Sequence, residues 1–222
     1  FIIIIINYAN IIKAFEAIFV NAFSAKSILG GFLGMGVKKA IRYGVARGLF
    51  SNEAGMGSTP HAHAIAKVKN PVEQGNVALI TVFIDTFIVL TLTALVILTS
   101  NIGDGTLTGI TLTQRAFENA LGYLGTIFIA IALFFFAFST IIGWYFFGEA
   151  NIKYLFGKKA INVYRILVMI AIFIGSTQKV ELVWELADLF NGLMVIPNLI
   201  ALIVLYKLVV NTSSEYDKLH NL

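Results

Sequence analysis

A chain of 222 residues that is 58% hydrophobic and only 13% charged, with a mean hydropathy of +0.86, excludes an ordinary soluble domain and reads as an integral membrane protein. The formal net charge of +4 invites a nucleic-acid reading, but the basic residues are spread over loops and segment ends and form no aromatic-interleaved stripe, which sets nucleic acid aside as a partner. No cysteine is present, so neither a disulfide framework nor a cysteine-based zinc site is open to the chain.

"FIIIIIN" at Phe1 to Asn7 has no initiator Met, no charged n-region and no small-residue cleavage site, and reads as the tail of a helix whose beginning is missing. An amphipathic stretch follows, "IIKAFEAIFVNAFSAKSILGGFLGMG", then "VKKAIRYGVARG", then the polar interruption "RGLFSNEAGMGSTPHAH" from Arg47 to His63, then "AIAKVKNPVEQG". Taking about 20 apolar residues as the span of the hydrocarbon core, three spans stand out: Val77 to Thr99, Leu121 to Phe147 and Leu182 to Tyr206. Ile161 to Gly175 is a shorter fourth, with Arg165 placed near one end to snorkel. Membrane strands alternate polar and apolar residues in segments of about ten; these runs are continuous, so the class is all-helical. The connection Ser100 to Ala120 carries Arg115 beside Asp104 and Glu118, whereas Gly148 to Ala160 carries Lys153, Lys158 and Lys159. The excess of lysine puts the second in the cytoplasm and the first outside. Pro197 is expected to kink the last span.

Non-helical backbone survives at membrane depth only where it lines a cavity or is buried in protein, so the interruption implies a cavity. Gly48, Gly55 and Gly57 remove side chains where backbone must approach a ligand, and amides freed beside a half-helix N-terminus suit a carboxylate. An ordinary cytoplasmic loop is the alternative, with Pro60 simply starting the next helix. His61 and His63 are two apart and point about 200° apart on a helix, so they chelate one metal with Glu53 only if the segment is extended. Glu53 is expected instead to satisfy free backbone donors or to cap the second half-helix.

A second constellation is "FFFAFSTIIGWYFFGE". Ser139 and Thr140 are adjacent hydroxyls at mid-span, and Trp144 shares a helical face with Thr140. Hydroxyl and carbonyl oxygens there suit a small hard cation such as sodium, although such hydroxyls more often bond a carbonyl of the preceding turn or a neighbouring helix. Asp85, Glu185 and Asp188 are costly in hydrocarbon, and serve either a proton relay or, more commonly, hydrogen bonds to backbone breaks and helix ends. The aromatic run Phe134 to Phe138 is lipid-facing or packing surface.

"AIRYGVARGLFSNEAGMGSTPHAHA", "NPVEQG", "FIDTFIVLTLTALVIL", "FAFSTIIGWYFFGE" and "LADLFNGLMVIPNLIAL" closely resemble the alanine or glycine:cation symporter family, sodium:alanine symporters, over nearly the whole chain. The resemblance implies the leucine-transporter-like fold of two inverted five-helix repeats, each opening on a broken helix. It implies that residues 1–222 are a single transmembrane domain fragment, the C-terminal part of such a transporter: the end of the fifth helix, then the sixth to tenth, with the N-terminal helices missing. The interruption would be the unwound middle of the sixth helix, from about Gly48 to Ser58, with a break at "LGGFLG", Leu29 to Gly34, as the alternative.

Carried over residue by residue, Val45, Gly48 and Leu49 would line the amino-acid pocket, Gly48 offering backbone and the other two limiting side-chain size. Thr140 and Trp144 would close it, Ser139 would bind sodium, and the Phe136 carbonyl would be a second ligand. The implied function is sodium-coupled symport of alanine or glycine across the cell membrane by a multi-pass protein, with sodium as coupling ion and no enzymatic activity. The implied partners are the amino acid, membrane lipid and the missing helices of the same transporter. Half of each site would be absent, so the fragment alone is expected not to transport. The rivals are a proton-coupled transporter using Asp85 or Glu185, a metalloenzyme using Glu53, His61 and His63, and a non-transporting structural membrane fragment.

Overall fold

The computed structural model describes residues 1–23, 31–100, 102, 107 and 109–220. Among them the regular structure is all helical: α1 (Ile2–Ile6), a 3-10 turn (Tyr8–Asn10), α2 (Ile11–Phe23), α3 (Gly31–Asn52), α4 (Pro60–His63), α5 (Pro71–Phe83), a π-helical segment (Ile84–Val89), α6 (Leu90–Thr99), α7 (Gly109–Leu121), α8 (Tyr123–Phe156), α9 (Ala160–Ser176) and α10 (Val180–His220). Among the described residues three stretches are long and apolar enough to cross a membrane, Pro71–Thr99, Tyr123–Phe156 and Val180–His220, with α9 a shorter apolar helix. They contain two of the three expected spans and the shorter fourth; the remaining span, Leu121 to Phe147, begins instead at Tyr123, because Leu121 ends α7 and Gly122 makes the turn.

The ends differ from expectation. α8 runs to Phe156 rather than Phe147, because "GEANIKYLF" holds no proline and only one glycine, which a helix absorbs, and α8 stops only where Gly157 takes φ +77. The lysine-bearing connection is therefore mostly helix. α10 continues through Pro197 and past Tyr206 to His220. α5 starts where the sequence signals it: the Asn70 side chain accepts from the Val72 amide at 2.9 Å, Pro71 takes the first helical position and Glu73 sits in the first turn.

The chain forms two units: residues 1–47 with 83–139, and residues 48–82 with 140–222. The first buries Ile3, Ile4, Ala14, Leu95, Val96 and Ala116 against one another. The end of α6 is closed by asparagines, Asn10 donating to the Thr99 carbonyl at 3.1 Å and Asn119 to that of Ser100 at 3.4 Å, which satisfies carbonyls that a helix terminus leaves free. Arg115 and Glu118 pair at 2.8 Å on the surface, a contact of little energetic weight. Asp104, placed beside them by the sequence, lies outside the described residues.

α8 turns back from α7 at Gly122 (φ +60), and a Cβ on Gly125 would overlap the Phe117 carbonyl. Because that obstacle is backbone, Gly125→Ala must move one helix end. A loss of about 1–3 kcal/mol is expected, read as a lowered thermal-shift midpoint in detergent; an unchanged midpoint would show that α7 does not approach α8 this closely.

Candidate functional site

The polar interruption is a structured break. α3 continues to Asn52, so the break starts at Glu53 and not at Gly48. Gly48 lies within the helix with open space where a Cβ would stand, and a helix absorbs one such glycine at about 1 kcal/mol. The expectation that Gly48 offers free backbone is corrected accordingly. Of the alternative break, residues 29 and 30 lie outside the described residues and Gly31 to Gly34 open α3.

From Glu53 the chain leaves the helix in left-handed backbone, with φ of +54 at Glu53, +77 at Gly55 and +91 at Gly57. A non-glycine residue pays roughly 1–2 kcal/mol for that conformation. Local hydrogen bonds offset the cost. The Asn52 side chain accepts from the Ala54 amide at 2.9 Å; one Glu53 carboxylate oxygen accepts from the Ser58 hydroxyl at 2.6 Å and lies 3.3 Å from that of Thr59. Glu53 thus gathers hydroxyls, where backbone amides were expected, and Thr59 makes no side-chain cap for α4. Pro60 does start α4. Met56 and Ser58 are 2% and 1% exposed, so the break folds inward over its own residues.

Two distant asparagines hold this segment. Asn198 donates to the Gly55 carbonyl at 2.9 Å, and Asn151 approaches His61 Nε2 at 2.9 Å while donating to the Phe147 carbonyl at 2.8 Å. His61 Nδ1 faces the Ser58 carbonyl at 2.9 Å, so it carries the hydrogen, and Nε2 accepts from Asn151. His63 Nδ1 meets the Gln74 amide nitrogen at 2.6 Å and is the acceptor in that pair. Both imidazoles are committed to neighbours, and among the described residues no group of three His, Asp or Glu could hold a metal ion. The geometry does not bring Glu53, His61 and His63 together as a ligand set.

The break, α4, α5 and α10 border an open cavity of about 760 Å³ within the second unit, lined by Glu53, Gly55, Gly57, Thr59, His63, Gln74, Ala78, Leu79, Val82, Asn198 and Leu202 among others. The sequence implied a cavity at the break, and the structure holds one; its far walls come from α5 and α10, which local reading could not assign.

The carried-over residues divide between the units. Val45, Phe136 and Ser139 belong to the first; Gly48, Leu49, Thr140 and Trp144 belong to the second. Val45 on α3 is 56% exposed and Leu49 40% exposed. Ser139 donates to the Phe136 carbonyl at 3.1 Å, so the two proposed sodium ligands are neighbours within one turn of α8, and the hydroxyl also plays the ordinary role of bonding the preceding turn. Trp144 stacks on Phe50, ring centroids 6.3 Å apart, and Phe50 meets Trp184 edge-on at 5.5 Å. Sequence reasoning passed over Phe50, Trp184, Asn151 and Asn198; an amide beside Pro197 within an apolar span was the available signal for the last. Arg165 donates to the Tyr145 hydroxyl at 3.3 Å. Asp85 is half-buried in the π-helical segment, Glu185 is exposed and Asp188 is half-buried. Phe134 to Phe138 are largely exposed, with Phe134 and Phe138 stacked at 6.3 Å.

Several apolar spans joined by short connections, with a hydrogen-bonded break opening on a cavity, define a multi-pass helical membrane protein. The sequence profile of the sodium:alanine symporter family matches residues 1–221. The chain belongs to that family, whose members are transporters and not enzymes. It is 41% identical over 222 residues to the sodium/alanine symporter AgcS of Methanococcus maripaludis, covering 98% of this chain and 48% of that protein. It is 43% identical over 220 residues to the probable sodium/glutamine symporter GlnT of Bacillus subtilis, covering 98% and 45%. It is 35% identical over 240 residues to the sodium/proton-dependent alanine carrier protein of Bacillus sp. PS3, covering 98% and 53%. The chain spans about half the length of the curated relatives it matches.

Proposed function

We propose that this chain supplies half of a sodium-coupled symporter for a small neutral amino acid, alanine or glycine, working by alternating access. Family membership over residues 1–221 is the observation that carries the reading. In it the helices correspond to the end of the fifth and to the sixth through tenth of a leucine-transporter-like inverted-repeat fold, and the rest of a family-length polypeptide contributes the complementary walls of both sites. Val45, Leu49, Thr140 and Trp144 bound the amino acid, Gly48 leaves room beside them, and Ser139 with the Phe136 carbonyl binds sodium. The adjacency of those two oxygens supports the ion assignment. Coupling needs the ion to favour the substrate-competent state by differential affinity. One positive charge carried inward across 100 mV adds about 2.3 kcal/mol of driving force.

Proton coupling is the second reading. It is favoured by Asp85, half-buried in a π-helical segment of a candidate span, a kind of helix irregularity that concentrates at functional sites. The test is labelled-alanine uptake into proteoliposomes by a transporter in which this chain replaces the matching segment of the Methanococcus maripaludis symporter. Uptake is expected to rise with an inward sodium gradient; uptake that ignores sodium and follows a proton gradient would transfer the coupling role to the carboxylates.

A further inference from the structure

None of Gly48, Leu49, Thr140 and Trp144, which share the second unit with the cavity at the break, lines it. We propose that this cavity is a separate small-molecule site, one that takes a primary ammonium group carried on a short apolar body, with Glu53 as its anchor.

Charge is the first argument. Glu53 is the one carboxylate, and there is neither Lys nor Arg, among the described residues lining the cavity. It follows directly on the C-terminal end of α3, where exposed carbonyls already place partial negative charge. A carboxylate there adds to that potential, so the wall is built for a cation. The Ser58 and Thr59 hydroxyls are neutral partners, and no Lys or Arg among the described lining residues balances the charge.

Orientation is the second. One carboxylate oxygen is fixed by the hydroxyls of Ser58 and Thr59, while the other accepts no hydrogen bond from the described residues. The side chain is thereby held with a lone-pair oxygen to spare, a preorganised acceptor for a charge-assisted N–H bond.

Size and lining are the third. At about 760 Å³ the cavity falls in the range of roughly 300–1,000 Å³ that suits small organic ligands. Beyond Glu53 its surface is mainly aliphatic, from Ala78, Leu79, Val82 and Leu202, with the Thr59 hydroxyl, the His63 ring and the amides of Gln74 and Asn198 as further polar groups. A bare sodium ion would leave the aliphatic wall without a partner. An alkylammonium finds its ion pair and its apolar contact together. The inference does not rest on the transport reading, because it concerns equilibrium binding.

The test uses the full 222-residue chain in lipid nanodiscs, titrated calorimetrically with n-butylammonium, n-butanol, n-butyrate, alanine and sodium. n-Butylammonium is expected to bind saturably and at least tenfold more tightly than butanol or butyrate. Alanine competing with it would mark an amino acid as a source of the ammonium, and failure to compete would mark simple amines; the ammonium site stands in either case. Glu53→Gln keeps an oxygen to accept from Ser58 and Thr59 but removes the charge, and should weaken n-butylammonium at least tenfold. Ala78→Phe fills the cavity from the opposite wall and should abolish binding while leaving Glu53 untouched. Equal affinity for butylammonium and butanol in the unaltered chain overturns the proposal even if both variants misfold. So does displacement of butylammonium by equimolar sodium, or wild-type affinity in folded samples of both variants.

Discussion

Gly57→Val is expected to lower stability by about 2–5 kcal/mol, the sum of a backbone and a packing cost. Gly57 sits at φ +91, which a β-branched residue tolerates poorly, and its Cβ would lie 3.0 Å from the Cβ of Asn198. That obstacle is the root of a side chain on α10, so no rotamer change removes it. The two costs separate experimentally. Gly55 has φ +77 but nothing within 4 Å of the place its Cβ would take, so Gly55→Ala carries the backbone share alone. Thermal-shift midpoints in one detergent should fall in the order Gly55→Ala, Gly57→Ala, Gly57→Val, the last by roughly 5–15 °C. A midpoint for Gly57→Ala equal to that of Gly55→Ala would mean that α10 does not press on the break.

The parts of this molecule legible in its sequence were those carried by local repetition. Three continuous apolar runs became the three candidate spans because one hydrocarbon thickness sets their length. Asn70, Pro71 and Glu73 announced the start of α5 through capping chemistry confined to one turn. Helix ends were less legible: "GEANIKYLF" is polar enough to look like a loop, yet its intrinsic propensity extends α8 to Phe156. The break began at Glu53 and not at Gly48 because helical neighbours carried the glycine, and the left-handed turn fell on a residue that rarely adopts one. Least legible were the clamps. Asn198 reaches Gly55 across 143 positions, and His61 meets Asn151 across 90; nothing local marks either pairing. The substrate and fold-family assignments came from the resemblance, because no local pattern of residues encodes them.

Ser139→Ala, made in the same uptake system, is expected to raise the sodium concentration for half-maximal uptake by about 10–100-fold, as for the loss of roughly 1.5–3 kcal/mol from one oxygen facing a charge. The hydroxyl now bonds the Phe136 carbonyl at 3.1 Å, so a cation bridging both oxygens must turn the hydroxyl hydrogen away. That trade exchanges one neutral hydrogen bond for two ion–dipole contacts. Removing the hydroxyl therefore weakens the ion far more than it weakens the helix, where an exposed intrahelical bond of this kind is worth well under about 1 kcal/mol. The sign is fixed by linkage: weaker sodium binding depopulates the substrate-competent state, so the apparent affinity for alanine at low sodium falls by a comparable factor and recovers at saturating sodium. Ser139→Thr, which keeps an oxygen at the same branch point, should stay within a few-fold of the unaltered protein. A Ser139→Ala protein that loses maximal uptake at all sodium concentrations, with its half-maximal concentration unchanged, would place Ser139 in packing or gating and move the ion to other oxygens.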